Sequence, residues 1–204
     1  MTQLKRTMLI TGASKGIGKA CRNHFFNQYQ VITIARTGLV TERGDLTNLN
    51  FIRYVVNKHP VVDVLINNVG GGLKGCYAVS FINYIVPCLF MEHYISTMKS
   101  GHIINIVSNA AYGAEAYDQG YPKMIANNPD RLWYCASKNA LKFASNALAR
   151  SRLGIKITSI EPGKVDNRGI GLQEPCIQVA DIPLVIEWVL AQPFQVNTLH
   201  FTPV

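Results

Sequence analysis

A tyrosine and a lysine stand four residues apart in Trp133-Tyr134-Cys135-Ala136-Ser137-Lys138. At that spacing a phenol and an ammonium share one helix face. A free phenol titrates near pH 10, too high for efficient proton transfer at neutrality, and a cation one turn away favours its phenolate. Moving a hydride to or from a carbonyl carbon requires such a group to handle the proton on oxygen. A second feature opens the chain: Thr11-Gly12-Ala13-Ser14-Lys15-Gly16-Ile17-Gly18, in which three glycines follow an apolar run. Between a strand and a helix, such a turn brings backbone amides and a positive helix end against a dinucleotide pyrophosphate. Each feature alone has a plainer explanation, two surface side chains in one case and a tight structural turn in the other. Together they point to hydride chemistry on a bound dinucleotide.

Arg36 closes the second apolar run, Val31-Ile32-Thr33-Ile34-Ala35. In a dinucleotide fold that position lies beside the adenosine ribose, where an acid receives the 2′-hydroxyl and an arginine pairs with a 2′-phosphate. Lys15 adds a second cation nearby, and no acid occupies the strand end. NADP(H) is therefore favoured over NAD(H), the alternative being that Arg36 and Lys15 merely face solvent.

The elements that must position these groups alternate as βαβ units, which calls for an α/β fold with a doubly wound parallel sheet and helices on both faces. Strands are expected at Thr7 to Thr11, Val31 to Ala35, Val64 to Asn67, Ile103 to Val107, Ile155 to Ile160 and Val196 to Phe201. Helices are expected from about Ile17 to Asn27, Asn48 to Val56, Phe81 to Met98, Leu132 to Ser151 and Ile182 to Leu190. Thr37 to Gly44 is too short for a crossover helix, so a third strand there must be very short. Pro87 is expected to kink its helix unless it lies near a turn.

The 204 residues fit one domain, 1–204, with a substantial core and little room for a separate substrate domain. The net charge of +8 suits an anionic cofactor, and the scattered lysines and arginines form no nucleic-acid-binding arm. No run approaches the roughly 20 apolar residues of a membrane span, and Thr7-Met8-Leu9-Ile10 is too short for a secretory signal. Five dispersed cysteines fit reduced, mostly buried thiols rather than a disulfide framework or zinc site, so a cytoplasmic protein is expected. The histidines form no metal pattern, and no Gly-x-Ser-x-Gly nucleophile elbow is present.

Taken together, these motifs resemble the classical short-chain dehydrogenase/reductase family over nearly the whole chain. Thr11 to Gly18 matches its glycine-rich motif, implying cofactor contacts from Gly12, Ser14, Lys15, Gly16, Ile17 and Gly18. Asn67-Asn68-Val69-Gly70 matches its Asn-Asn-Ala-Gly segment with Val69 in place of alanine, which implies that Asn68, Val69 and Gly70 support the central strand and border the adenosine ribose. Asp45 and Leu46 resemble the adenine-pocket pair, while Pro162, Gly163 and Val165 resemble the segment that closes over the nicotinamide end. Tyr134-Cys135-Ala136-Ser137-Lys138 matches Tyr-x-x-x-Lys, implying Tyr134 as general acid/base and Lys138 as the ribose-binding residue that tunes it. Ser108, after Ile104-Asn105-Ile106-Val107, is implied to hold the substrate oxygen. Asn83 falls where the family places an asparagine anchoring a water that links the lysine to solvent; a buried helix-satisfying role is the alternative. The resemblance also implies a seven-stranded sheet, a small carbonyl or alcohol substrate, and a homodimer or homotetramer.

Three departures from that family pattern stand out. The crossovers at Arg36 to Asp45 and Gly71 to Phe81 are short, and Ser108 and Tyr134 are far apart. The 109–131 segment reads as an inserted loop: either a substrate lid, with Tyr112, Tyr117 and Tyr121 offering stacking and hydrogen-bond surface and Lys123 and Arg131 able to receive an anionic group, or an oligomer contact. The resulting expectation is an NADPH-dependent carbonyl reductase or alcohol dehydrogenase. The alternatives are an NADP(H)-binding regulatory or scaffold protein without turnover, and a nucleotide-sugar epimerase or dehydratase, which the long Ser-to-Tyr spacing suggests.

Overall fold

The computed structural model describes residues 5–112, 128–151, 154–167 and 175–204. Along the chain the elements run β1 (Thr7–Thr11), α1 (Gly16–Phe25), β2 (Gln30–Ala35), β3 (Glu42–Arg43), α2 (Leu49–Lys58), β4 (Val64–Asn67) and α3 (Cys76–Ser80). A π-helical turn (Phe81–Ile85) then joins α4 (Val86–Thr97), followed by β5 (His102–Ile106), a 3-10 turn (Asn109–Tyr112), α5 (Asp130–Arg150) and β6 (Lys156–Pro162). Short strands β7 (Val165–Asp166) and β8 (Ile177–Gln178) pair with each other before α6 (Asp181–Ala191) and β9 (Thr198–Phe201). Seven parallel strands form one sheet in the order β3-β2-β1-β4-β5-β6-β9. The order reverses between β1 and β4, and the carboxyl ends on either side of that point open a crevice.

Period-two alternation divides the core between the faces. Leu9, Leu65, Ile103 and Ile157 point to one side and pack with Ile52, Val55, Phe90, Tyr94 and Leu141 from α2, α4 and α5. Met8, Ile10, Val64, Ile66, Ile104 and Ile160 point to the other and meet Ile17, Cys21, Phe25, Ile182 and Ile186 from α1 and α6. The compact second crossover replaces a helix with β3, whose two residues pair with Ile34 and Ala35. Glu42 anchors it: its buried carboxylate takes His59 Nε2 at 2.8 Å and Lys58 Nζ at 3.0 Å. Asn48 caps α2 by accepting from Asn50 N and Phe51 N.

Two local expectations need correction. The helix expected from Phe81 begins at Cys76, so helical residues run unbroken from Cys76 to Thr97. Those 22 residues are long and apolar enough to match a membrane span, which the sequence reading did not anticipate. Val79, Ile82, Val86, Phe90, Met91 and Tyr94 nevertheless bury against the sheet, as in a core helix. Pro87 falls just after the π turn, at the start of α4, and has no N–H to give to the Asn83 carbonyl four residues back. The cysteines are free, but they are less buried than expected. Cys21 and Cys135 are buried, Cys88 and Cys176 are half-buried, and Cys76 is exposed.

Candidate active site

The crevice is a cleft of about 1020 Å³ along the carboxyl ends of β1, β2, β4, β5 and β6. At one end lies the glycine turn. Gly12 and Gly16 take φ of +70° and +53°, a region costly for other residues, and the turn carries the chain from β1 into α1. A Cβ on Gly12 would stand 2.9 Å from both Asn68 Nδ2 and Val69 Cα. Asn68 clamps the turn from β4: its Nδ2 donates to Thr11 O and Gly12 O, and Thr11 Oγ1 accepts from Asn68 N and Val69 N. Gly12, Ser14, Lys15, Gly16 and Ile17 line the cleft. Gly18 does not, because it faces inward; a Cβ there would lie 2.4 Å from Gly12 O and 2.5 Å from Asn68 Nδ2. Its part is to let α1 pack closely on the turn, a correction to the cofactor contact expected of it.

Arg36, Asp45 and Leu46 line the same end. Arg36 Nη1 lies 3.8 Å from Asp45 Oδ2, with the guanidinium largely exposed. Hydrogen bonds from Thr47, its backbone N–H foremost, hold the Asp45 carboxyl below its ordinary range, so it stays ionised beside the arginine. Asn68, Val69 and Gly70 lie midway, and Pro162, Gly163 and Val165 form the opposite wall. All nine of these residues line the one cleft.

The far end gathers the chemical groups. Ser108 is delivered past β5, and its Oγ accepts from Ala110 N at 3.2 Å, which fixes the hydroxyl on the first turn of Asn109–Tyr112. Tyr134 and Lys138 arrive from successive turns of α5, and all three side chains line the cleft. Lys138 is almost wholly buried and donates to Ile106 O at 2.8 Å. Burial pushes its ammonium down to about 8. Asn83 lies outside the cleft lining. It is fully buried in the π turn, donating from Nδ2 to Gly71 O and Ser137 Oγ while Oδ1 accepts from Gly71 N. A Cβ on Gly70 would stand 2.6 Å from Asn83 Oδ1 and 3.5 Å from Lys138 Nζ, so both side chains crowd that glycine. The satisfied buried amide therefore fits the structural alternative read for Asn83.

The cleft also holds residues that sequence reading missed as site residues. Thr37, Thr47, Leu73, Asn109, Lys164 and Asn167 line it. Asn167 Oδ1 comes within 3.1 Å of where a Gly16 Cβ would sit, so the chain after β7 folds back over the glycine turn. Its position two residues past Val165 was the available signal. Arg131, read in the sequence as a loop cation able to receive an anionic group, lines the cleft one turn before Tyr134, its guanidinium 5.2 Å from the centre of that ring. Of the 109–131 segment, residues 113–127, including Tyr117, Tyr121 and Lys123, lie outside the described residues. Tyr112 points away from the chemistry. Its ring carries Lys142 Nζ at 3.3 Å and meets the His200 ring edge-on, so the stacking surface expected of it serves α5 and β9.

No family model matches the chain. It is 28% identical to serine 3-dehydrogenase of Agrobacterium fabrum, over 97% of this chain and 94% of that protein. It is 27% identical to 3-ketodihydrosphingosine reductase of Bacteroides thetaiotaomicron, over 80% of this chain and 67% of the relative. Among solved structures, BdcA in complex with NADPH superposes with a TM-score of 0.78 at 22% identity, covering 98% of this chain and 93% of that one. The 3-alpha-hydroxysteroid dehydrogenase from Pseudomonas sp. B-0831, complexed with NADH, gives 0.75 at 18%, covering 96% and 95%. With the glycine turn, the Asn68 clamp and the Ser108–Tyr134–Lys138 grouping on one parallel sheet, the chain is similar in sequence and fold to the short-chain dehydrogenases/reductases.

Proposed function

We propose that this chain is an NADPH-dependent carbonyl reductase, reversible as an alcohol dehydrogenase, acting on a small substrate at the Ser108 end of the cleft. The observation that carries this reading is one continuous cleft, with Ser108, Tyr134 and Lys138 at one end and the glycine turn, Lys15 and Arg36 at the other. The residues present fit a nicotinamide dinucleotide. The positive-φ turn at Gly12 and Gly16 lines the cleft with little but backbone, Lys138 presents a buried ammonium, and the cleft has the volume for a long ligand. When bound, the nicotinamide supplies or accepts the two electrons and the hydrogen exchanged with the carbonyl carbon.

The chain's own groups handle the oxygen. Ser108 Oγ, held by Ala110 N, offers its hydroxyl proton to the carbonyl oxygen and supports charge as it develops. Tyr134 gives that oxygen its proton in the reductive direction and takes it back in the other. The Lys138 ammonium, poorly solvated and anchored on Ile106 O, stabilises the phenolate left behind and reaches toward the ribose. Arg36, exposed and only loosely paired with Asp45, keeps donors for a 2′-phosphate, which supports the NADPH preference.

Titration followed by nicotinamide fluorescence, with NADPH and NADH in parallel, tests the reading. A charge-assisted contact is worth about 1.5–3 kcal/mol, so Arg36→Ala should weaken NADPH roughly tenfold or more and leave NADH within about twofold. Equal binding of both cofactors, unmoved by Arg36→Ala and Lys15→Ala, removes the 2′-phosphate argument. Undiminished turnover in Tyr134→Phe removes the tyrosine as proton donor.

A further inference from the structure

The charge lining the cleft is sorted by position. Asp45 is the only carboxylate among the described lining residues, and it lies at the adenosine end beside Arg36. At the chemical end the charged side chains are cations: Lys138, which the reductase reading assigns to tyrosine and ribose, and Arg131, beside Tyr134. Arg131 sits one turn ahead of Tyr134 on α5, with its guanidinium 5.2 Å from the tyrosine ring centre. Its Nε is withdrawn from solvent and meets no hydrogen-bond acceptor among the described residues. A guanidinium N–H stripped of water costs free energy until an acceptor arrives, and a planar fork of donors suits an oxyanion.

We infer that Arg131 is a specificity residue whose partner is an oxyanion on the substrate itself, so that the natural substrate is an anionic carbonyl compound or the corresponding hydroxy acid or hydroxyalkyl phosphate. This rests on the reductase reading for the place of the reacting oxygen, which must lie between Ser108 and Tyr134. The ring stack then fixes the spacing: an anion held by the guanidinium stands next to the tyrosine rather than over it. The carbonyl therefore lies within a few bonds of the charge. In the reductive direction Tyr134 gives its proton to the oxygen, while a nicotinamide held in the cleft would supply the hydrogen and two electrons to the carbonyl carbon, so the product is the anionic alcohol and the oxidised cofactor. The anion is unchanged throughout and serves only for binding and alignment. Carboxylate and phosphate share this chemistry.

The test uses the NADPH-loaded protein and matched carbonyl pairs differing only in charge: pyruvate against methyl pyruvate for the carboxylate arm, dihydroxyacetone phosphate against dihydroxyacetone for the phosphate arm. The anionic member of at least one pair should show kcat/KM higher by about tenfold to a hundredfold, the range of one charge-assisted contact. Arg131→Gln should erase that preference by lowering the anionic member alone, and Arg131→Lys should restore part of it, with NADPH affinity unchanged in both. Equal losses on both members of each pair, the signature of an arginine that only tunes Tyr134, overturn the inference and leave the reductase reading standing. A preference for the neutral members does the same. A second readout needs no turnover: saturation-transfer NMR with unreactive oxamate and neutral ethyl oxamate. Oxamate should bind the wild type and lose its signal in Arg131→Gln. If no carbonyl is reduced, the reductase reading fails by itself, and absence of any oxamate signal in the wild type then overturns the anion site too.

Discussion

Replacing Lys138 by Met should remove activity and yet make the free protein more stable at neutral pH. The side chain is almost wholly buried, and its ammonium is held on the carbonyl of Ile106 rather than on a carboxylate. Burial moves it from an ordinary 10.5 to about 8. At about 1.4 kcal/mol per tenfold in proton affinity, keeping it charged inside the fold costs about 3 kcal/mol. Methionine has similar length and no charge, but it gives up the bond to Ile106 O, worth about 1 kcal/mol. The net gain at pH 7 is therefore about 2 kcal/mol, or several degrees in Tm at about 2–4 °C per kcal/mol for a domain of this size. The sign reverses with pH. Below about 8 both folded and unfolded chains carry the proton, and the wild type bears the full penalty. Between about 8 and 10.5 the unfolded chain binds more protons, so wild-type stability rises with pH and the advantage of methionine shrinks. Urea unfolding of both proteins should show their difference changing by about 2–3 kcal/mol between pH 7 and pH 10. Every other lysine cancels in that comparison. A difference that does not move with pH would mean that the Lys138 ammonium keeps its ordinary, solvated proton affinity, and the tyrosine-tuning argument would lose its physical basis.

Other consequences can be checked in the same way. His102 is buried at the start of β5 against Thr158, and burial, then the positive charges of Lys156 and Arg6, push its imidazole down to about 4. The folded state therefore loses stability as pH falls from about 6.5 to 4, by about 3 kcal/mol, and His102→Gln should flatten that acid limb in denaturant titrations. Burial raises the Glu42 carboxyl, but hydrogen bonds from His59 and Lys58 outweigh it and hold the group below its ordinary value. Its stabilisation of the compact second crossover should be present above the ordinary carboxyl range and fade as pH falls through the lowered value. Glu42→Gln should thus destabilise at pH 7 and matter little in acid. Gly18→Ala puts a methyl 2.4 Å from the Gly12 carbonyl oxygen and should cost about 1–3 kcal/mol by overpacking while weakening NADPH through the displaced turn.

Much of this architecture was legible because its determinants are local. Unbroken apolar runs such as Leu9-Ile10 and Val64-Leu65-Ile66 can only be strands buried on both faces, and turn glycines mark where β1 gives way to α1. The Tyr134–Lys138 pair was legible because helical spacing alone brings the two onto one face. What escaped depends on neighbours distant in sequence. The role of Gly18 is set by contact with Gly12 and Asn68, so a motif position that looks like a ligand contact turns out to be packing. Cys76 to Ser80 contains no strong start signal; Gly75 N bonds to Asp130 Oδ1 on α5, and that tertiary contact lets the helix begin five residues early. Sequence offered Arg131 as a loop cation for an anionic group, but its withdrawal from solvent beside Tyr134 arises only when α5 packs against β6 and α3.

If hydrogen passes between NADPH and a carbonyl carbon at the Ser108–Tyr134 end of this cleft, an isotope on the cofactor must appear in the product. Incubation of the wild type and Tyr134→Phe with NADPH deuterated at C4 and a carbonyl panel, with the alcohol products analysed by mass spectrometry, tests it most directly. The account predicts deuterium on the carbinol carbon from one face of the nicotinamide, at wild-type rates only when Tyr134 is present, with NADPH affinity unchanged in Tyr134→Phe. Tight NADPH binding with no deuterium in any product, or label transfer that proceeds equally well in Tyr134→Phe, would contradict it.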